Sequence, residues 1–202
     1  APTEALPEIL VDGEGNHWDV FGRATQGPRT GHRLRPTQSM MSYWFVAGAT
    51  FPGLEIYGEG STSPQLELES DPEWNIPVDG LALGSSWDAI PSIDDPIYLQ
   101  FDQRDHLNGF FLREESRVIG TEVNGAVRAY PHLILNHHEI VNDQLGNEQI
   151  CIAWCPLAGT STVWAGKANG VTSEFGVSGF LYNNNLMLYD RETESVRSQI
   201  LG

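Results

Sequence analysis

Apolar and polar residues alternate along this chain in short stretches, and no helical period is sustained for long. Alternation over four to eight residues marks half-buried strands, and brief apolar runs bounded by turn residues mark buried ones. On this basis strands are expected at Ile97–Phe101, Val118–Val123, Val127–Tyr130, Gln149–Trp154, Ser161–Trp164 and Leu186–Tyr189. Asn124-Gly125 falls between two of these runs, and Asn-Gly suits the two-residue hairpin turn, whose central residues both need positive φ. Asn169-Gly170 marks another turn. Pro131 to Leu135 can open one short helix, with proline in its first turn. The apolar run Met40–Ala47 reads as a second short, buried helix, stopped by Pro52 and Gly53; Leu54-Glu55-Ile56-Tyr57 then alternates like a strand.

Four regions follow. Residues 1–12 form an N-terminal arm whose Ile9-Leu10-Val11 is suited to add a strand to a sheet edge, in this chain or on a neighbour; a frayed end is the plainer alternative. Residues 13–60 are a glycine-rich β module, in which Trp18-Asp19-Val20-Phe21 lies between tight turns, with a short aromatic helix. Residues 61–87 are an irregular connection, long for a compact domain. Residues 88–202 carry most of the strands and form the core. The fold class expected is mainly β, an antiparallel sheet or barrel-like domain with a few short helices.

Composition narrows the function. The chain has 202 residues, enough for one domain with an extension. Its 11 basic residues face 27 acidic ones, a net charge of −16. Nucleic-acid binding needs a positive surface to displace counterions, so neither a nucleic acid nor an anionic membrane is an expected partner. No apolar run reaches the length of a transmembrane helix. The small residues at the start, Ala1-Pro2-Thr3, suit a mature end left by signal-peptide cleavage and so a secreted, extracytoplasmic protein; a trimmed chain is the alternative. The glycines of residues 13–31 form no phosphate loop, because no Gly-Lys-Ser/Thr follows them. Cys151 and Cys155 sit four apart on one expected strand, about 13 Å from each other. A disulfide needs Cα atoms within about 7 Å, so two buried thiols are expected unless the strand bends at Pro156.

Residues 88–202 contain ordered blocks that resemble a bacterial and archaeal family of unknown function, DUF3179. The blocks are Asp88-Ala89-Ile90-Pro91-Ser92-Ile93-Asp94-Asp95-Pro96; Ala129-Tyr130-Pro131; His138-Glu139-Ile140-Val141-Asn142-Asp143; Trp154-Cys155-Pro156-Leu157 with Gly159-Thr160; Phe175-Gly176-Val177-Ser178-Gly179; and Tyr189-Asp190-Arg191-Glu192-Thr193-Glu194-Ser195. The resemblance implies no reaction. Two departures stand out. Ala158 replaces the second cysteine of the family's Cys-Pro-Leu-Cys, which removes a CxxC pair for metal or redox work, and His137 stands where the family has tryptophan. The element order also differs. The glycine-rich and aromatic stretch that follows the last block in relatives is matched here by Trp18–Ala24, Gly27-Pro28, Gly31, Leu34 and Tyr43–Phe45, near the N-terminus. The order looks circularly permuted, and Asp12-Gly13-Glu14 echoes Asp190-Arg191-Glu192. The opening portion then supplies strands missing from the closing portion, in the same molecule or in a neighbour; a piece of a tandem repeat is the third reading.

Candidate chemistry is sparse. His138 and Cys155, with His137, are candidate ligands for copper or zinc, and Cys155 with His138 as base is a candidate nucleophile. Asp94, Asp95, Asp190, Glu192 and Glu194 are candidate calcium ligands, although without EF-hand spacing. Ser178 between glycines lacks the strand–turn–helix context of a nucleophile elbow. Trp44, Trp154 and Trp164, with Tyr43 and Phe45, form either core or a carbohydrate-binding face. No catalytic set is complete. The expected role is structural: a β module that associates with copies of itself, in a head-to-tail assembly or filament, with Ile9, Leu10 and Val11 as the joining strand. The alternative is a metal-binding or redox-type enzyme centred on His138 and Cys155.

Overall fold

The computed structural model describes residues 8–19, 21–35, 42–51, 74–99, 112–113, 115–168 and 171–201. Strands dominate. In chain order they are β1 (Glu8–Val11), β2 (His17–Asp19), β3 (Ala24–Gln26), α1 (Trp44–Thr50), β4 (Leu81–Leu83), β5 (Val118–Val123), β6 (Ala126–Pro131), α2 (His132–His138), β7 (Ile140–Leu145), β8 (Glu148–Cys155), β9 (Thr160–Ala165), β10 (Lys167–Ala168), β11 (Val171–Thr172), β12 (Phe175–Tyr182), β13 (Asn185–Asp190) and β14 (Val196–Ser198).

The organising element is the three-stranded antiparallel sheet β7-β8-β9. Its strands alternate apolar side chains between two faces, as a two-residue period requires. On one face Ile140, Cys151, Ala153 and Cys155 pack with Val177, Leu186 and Leu188 of the sheet β14-β13-β12-β4, and with Val46 of α1. On the other, Val141, Leu145, Ile150, Ile152 and Trp154 pack with Ile119 and Tyr130 of the β5-β6 hairpin and with Leu135 of α2. The middle sheet is therefore covered on both sides. This is why β8 reads as a nearly continuous hydrophobic run rather than a clean alternation.

Local signals set the turns. Asn124 and Gly125 both have positive φ, 50° and 83°, and close β5 onto β6 with Val123 opposite Ala126. Gly146-Asn147 joins β7 to β8 and Asn183-Asn184 joins β12 to β13 in the same way, all four residues having positive φ. Gly-Asn is a hairpin dipeptide, and asparagine tolerates the left-handed backbone that the Asn183-Asn184 turn requires. Strands β10 and β11 pair on either side of Asn169-Gly170, a turn that itself lies outside the described residues.

Several expectations change. The sheets are open and do not close into a barrel, because none has enough strands to return upon itself. Ile97-Tyr98-Leu99 is no strand: Ile97 is 94% exposed, and the segment is held instead by Tyr98, whose hydroxyl donates to Asp143 at 2.6 Å. Residues 100 and 101, like Leu54–Tyr57, lie outside the described residues. Strands β7, β12 and β14 were not among those expected. The first two contain the family blocks, whose polar residues mask the alternation.

The proposed lending of strands from the opening portion also changes. Among the described residues, β1-β2-β3 is a sheet of its own and shares no strand with β12-β13-β14. The opening portion contributes other contacts. The Tyr43 N–H donates to Ala158 O at 2.9 Å, α1 buries Val46 completely, and Arg23 and Arg33 reach the Glu122 carboxylate at 2.7 and 2.9 Å. The strand that does extend the core sheet is β4, from the connection expected to be irregular: Leu81–Leu83 pairs with Phe180–Tyr182. Gly179, at φ 78°, lets the Ser85 carbonyl come so close that a Cβ there would strike it.

Candidate functional site

The family blocks are far apart in sequence and meet at two polar hubs, built from neighbouring residues of β7 that face opposite ways. Asn142, 2% exposed, donates to Asp94 Oδ1 and to Phe175 O, both at 2.8 Å, and accepts the Phe175 N–H at 2.9 Å. Asp94 in turn accepts from Arg191 and from Ser92, each at 2.8 Å, and Arg191 also reaches Ser92 Oγ at 2.8 Å. Partial burial would raise the Asp94 carboxyl, but hydrogen bonds from Asn142, Arg191 and Ser92 outweigh it and hold its pKa below the ordinary value. Beside this hub the Tyr189 hydroxyl donates to Asp88 at 2.5 Å.

Asp143 points to the other side. It accepts from the Tyr130 hydroxyl at 2.5 Å, the Tyr98 hydroxyl at 2.6 Å and the Arg128 guanidinium at 2.5 Å. Arg128 also lies 3.9 Å from the centre of the Tyr98 ring. Burial alone would raise the Asp143 carboxyl; its three donors reverse that and lower it, while burial and the Asp143 charge raise both tyrosines. A third knot holds the far end of the sheet. Gln199, fully buried, donates to the carbonyls of Ala153 and Thr160, and its side-chain oxygen accepts from Thr160 Oγ1 at 2.6 Å. The hubs pair most of their polar atoms, Arg191 Nε being a buried exception, and paired buried networks rigidify and specify a core.

The candidate ligands are not gathered into one site. His138 Nδ1 shares a hydrogen bond with Pro91 O at 2.9 Å, His137 is exposed, and the Cys155 thiol, 1% exposed, points to Asn184 O at 3.8 Å. Among the described residues no three His, Cys, Asp or Glu side chains gather closely enough to hold a metal ion. Both cysteines are free and buried. Burial pushes both thiols up, helped at Cys155 by the Glu139 charge, so each is protonated at neutral pH and neither is an activated nucleophile. Ser178 donates to Met187 O at 2.6 Å inside the core and is fully buried. Of the candidate calcium ligands, Asp94 is bound to Arg191, Asp190 caps its own turn by accepting the N–H groups of Glu192 and Thr193, and Asp95, Glu192 and Glu194 are exposed. Asp12 caps its turn in the same way, through the N–H groups of Glu14 and Asn16, so the echo between the two segments is one of turn geometry. Trp154 is core on one face of the middle sheet and Trp164 packs against the core cluster on the other; the side chains of Trp44 and Phe45 lie outside the described residues.

The chain belongs to the DUF3179 family. The model of that family, described as a protein of unknown function, matches residues 87–202, more than half of the chain. No curated protein and no solved structure matches. The DUF3179 region begins just after β4, so the family match leaves out the edge strand of its own sheet.

One DUF3179 residue passed over as a candidate site is Glu139. It ends α2 at φ 57° and ψ −35°, a region sparsely populated by non-glycine residues, and it is only 8% exposed. No hydrogen bond from a described residue reaches its carboxylate, and burial pushes its pKa up to about 7. A second feature is an open cleft of about 630 Å³ at the other end of α2. There the His132 ring stacks on Trp154 at 3.9 Å, and Trp154 Nε1 donates to Asn136 Oδ1 at 2.8 Å.

Proposed function

We propose that this DUF3179 chain is a structural, extracytoplasmic β module that joins copies of itself head to tail through free sheet edges. The observation that carries the reading is a pair of unlike, apolar edges that no other described strand covers. Strand β1 is an outer strand; among the described residues only β2 pairs with it, and its Leu10 and Val11 are 52% and 56% exposed. Strand β4 is the outer strand of the core sheet, with Leu83 67% exposed beside an apolar hollow of about 470 Å³ lined by Leu83, Trp87 and Phe180. An unpaired edge is a template for another strand. Because the two edges differ, a contact between them is heterologous and runs on into a ring or a filament. Further support comes from the family blocks, several of whose polar residues, Asp88, Asp94, Asn142, Asp143 and Arg191 among them, are engaged in internal hydrogen bonds and ion pairs.

Light scattering coupled to gel filtration tests this. The natural chain forms oligomers that grow with concentration. A Leu10→Lys/Val11→Lys variant and a Leu83→Lys variant each remain monomeric, since charge on an edge blocks strand addition. Mixed together, the two form a heterodimer through the one intact edge of each. A natural chain that stays monomeric at high concentration, or variants that assemble as it does, would overturn the proposal.

A further inference from the structure

The cleft beside α2 is cationic on a strongly acidic protein. Most described arginines are tied to carboxylates: Arg23 and Arg33 to Glu122, Arg29 to Glu14, Arg128 to Asp143 and Arg191 to Asp94. Four others, Arg35, Arg113, Arg117 and Arg197, have no ion-pair partner among the described residues, and two of them, Arg113 and Arg117, stand together at the cleft. Both are exposed. Unpaired arginines are notable where 27 acidic residues face 11 basic ones. Glu115 is the one carboxylate among the described residues that line the cleft.

The remaining walls also offer donors. The Asn136 oxygen is taken by Trp154 Nε1, which fixes the amide so that its NH₂ group is left over. His132 is held in place by stacking on Trp154 and by its own N–H, which donates to Arg117 O at 3.0 Å. Burial, and then the charge of Arg117, lower the His132 pKa, so the ring is neutral at pH 7. Among the described residues the cleft therefore carries two guanidinium charges and one carboxylate, a net of one positive charge. Its volume suits a small organic molecule.

We propose that this cleft binds a small organic carboxylate. A guanidinium fork matches the planar, two-oxygen carboxylate bidentately. The single net charge matches a monoanion better than a doubly charged phosphate. Leu133 and the edge of the His132 ring give the ligand's body an apolar wall. The site shares no residue with the β1 or β4 edges, so it stands or falls independently of the assembly proposal.

The test is calorimetric titration of the full chain with benzoate, glucuronate and lactate, against benzamide and inorganic phosphate. At least one carboxylate binds, benzamide does not, and phosphate binds more weakly than the best carboxylate. The Arg113→Gln/Arg117→Gln variant weakens that carboxylate about tenfold or more, because charge-assisted hydrogen bonds are lost. Its circular dichroism and melting temperature stay those of the natural chain, since both side chains are exposed. Binding of none of the three acids, equal binding of benzamide, tighter binding of phosphate, or an unaffected variant would each overturn the proposal.

Discussion

Glu139 makes stability depend on pH in a direction opposite to most carboxylates. In the unfolded chain its carboxyl titrates near its ordinary value of 4.5; in the folded protein burial raises this to about 7. Between those values the folded state holds a proton that the unfolded state has lost. Folding stability therefore falls as pH rises from about 4.5 to about 7, and is flat with respect to this group on either side. Each pH unit is worth about 1.4 kcal/mol, so the group costs about 3 kcal/mol above pH 7. The perturbation is Glu139→Gln, which keeps the shape and removes the titration. The buried amide carries a cost of its own, but that cost does not vary with pH. The assay is urea unfolding of both proteins from pH 4.5 to 8. His132, whose pKa burial lowers, contributes with the opposite sign and is common to both proteins. The informative quantity is therefore the difference between the two proteins, which should shift by about 3 kcal/mol in favour of Glu139→Gln across the range. A difference constant with pH would refute the reasoning: the carboxylate would then be solvated or paired in the folded protein.

Two further outcomes follow from the hubs and the core. Asn142→Ala deletes three hydrogen bonds at a buried position and strands the Phe175 backbone, so chemical denaturation should show a loss of about 3 kcal/mol; a loss near zero would mean that the hub does not order the core. Cys151 and Cys155 should resist iodoacetamide in the folded protein at neutral pH and react only on unfolding, as mass spectrometry of the labelled chain would show; rapid labelling of Cys155 would contradict its burial.

Much of the architecture was legible along the chain. Five of the six strands expected in the core region have counterparts, at β5, β6, β8, β9 and β13. The Asn124-Gly125 hairpin and both short helices follow from residue types whose preferences are local: φ-permissive turn residues, a proline at a helix start, apolar runs of limited length. The same local chemistry led away from β7 and β12, where Asn142, Asp143 and Ser178 interrupt the apolar pattern. Those residues are buried polar cross-links, and their partners come from residues 33 to 48 positions away for Asn142 and 13 to 45 for Asp143.

The candidate site was less legible. The family blocks marked the right residues, but their types fitted ligands and bases as well as cross-links. Only the tertiary structure decided that His138 turns to Pro91, that Cys155 is buried in the same core cluster as Val46, and that Asp94 holds Arg191. It also decided that the Glu139 carboxylate is buried with no hydrogen bond from a described residue, and that Arg113 and Arg117 stand in one cleft. The sequence by itself determined most of the core strands, the hairpin turns and the acidic charge, because each depends on a few consecutive residues or on composition. Burial, pairing and pKa depend on which distant side chains share a small volume, and that is settled only when the sheets stack.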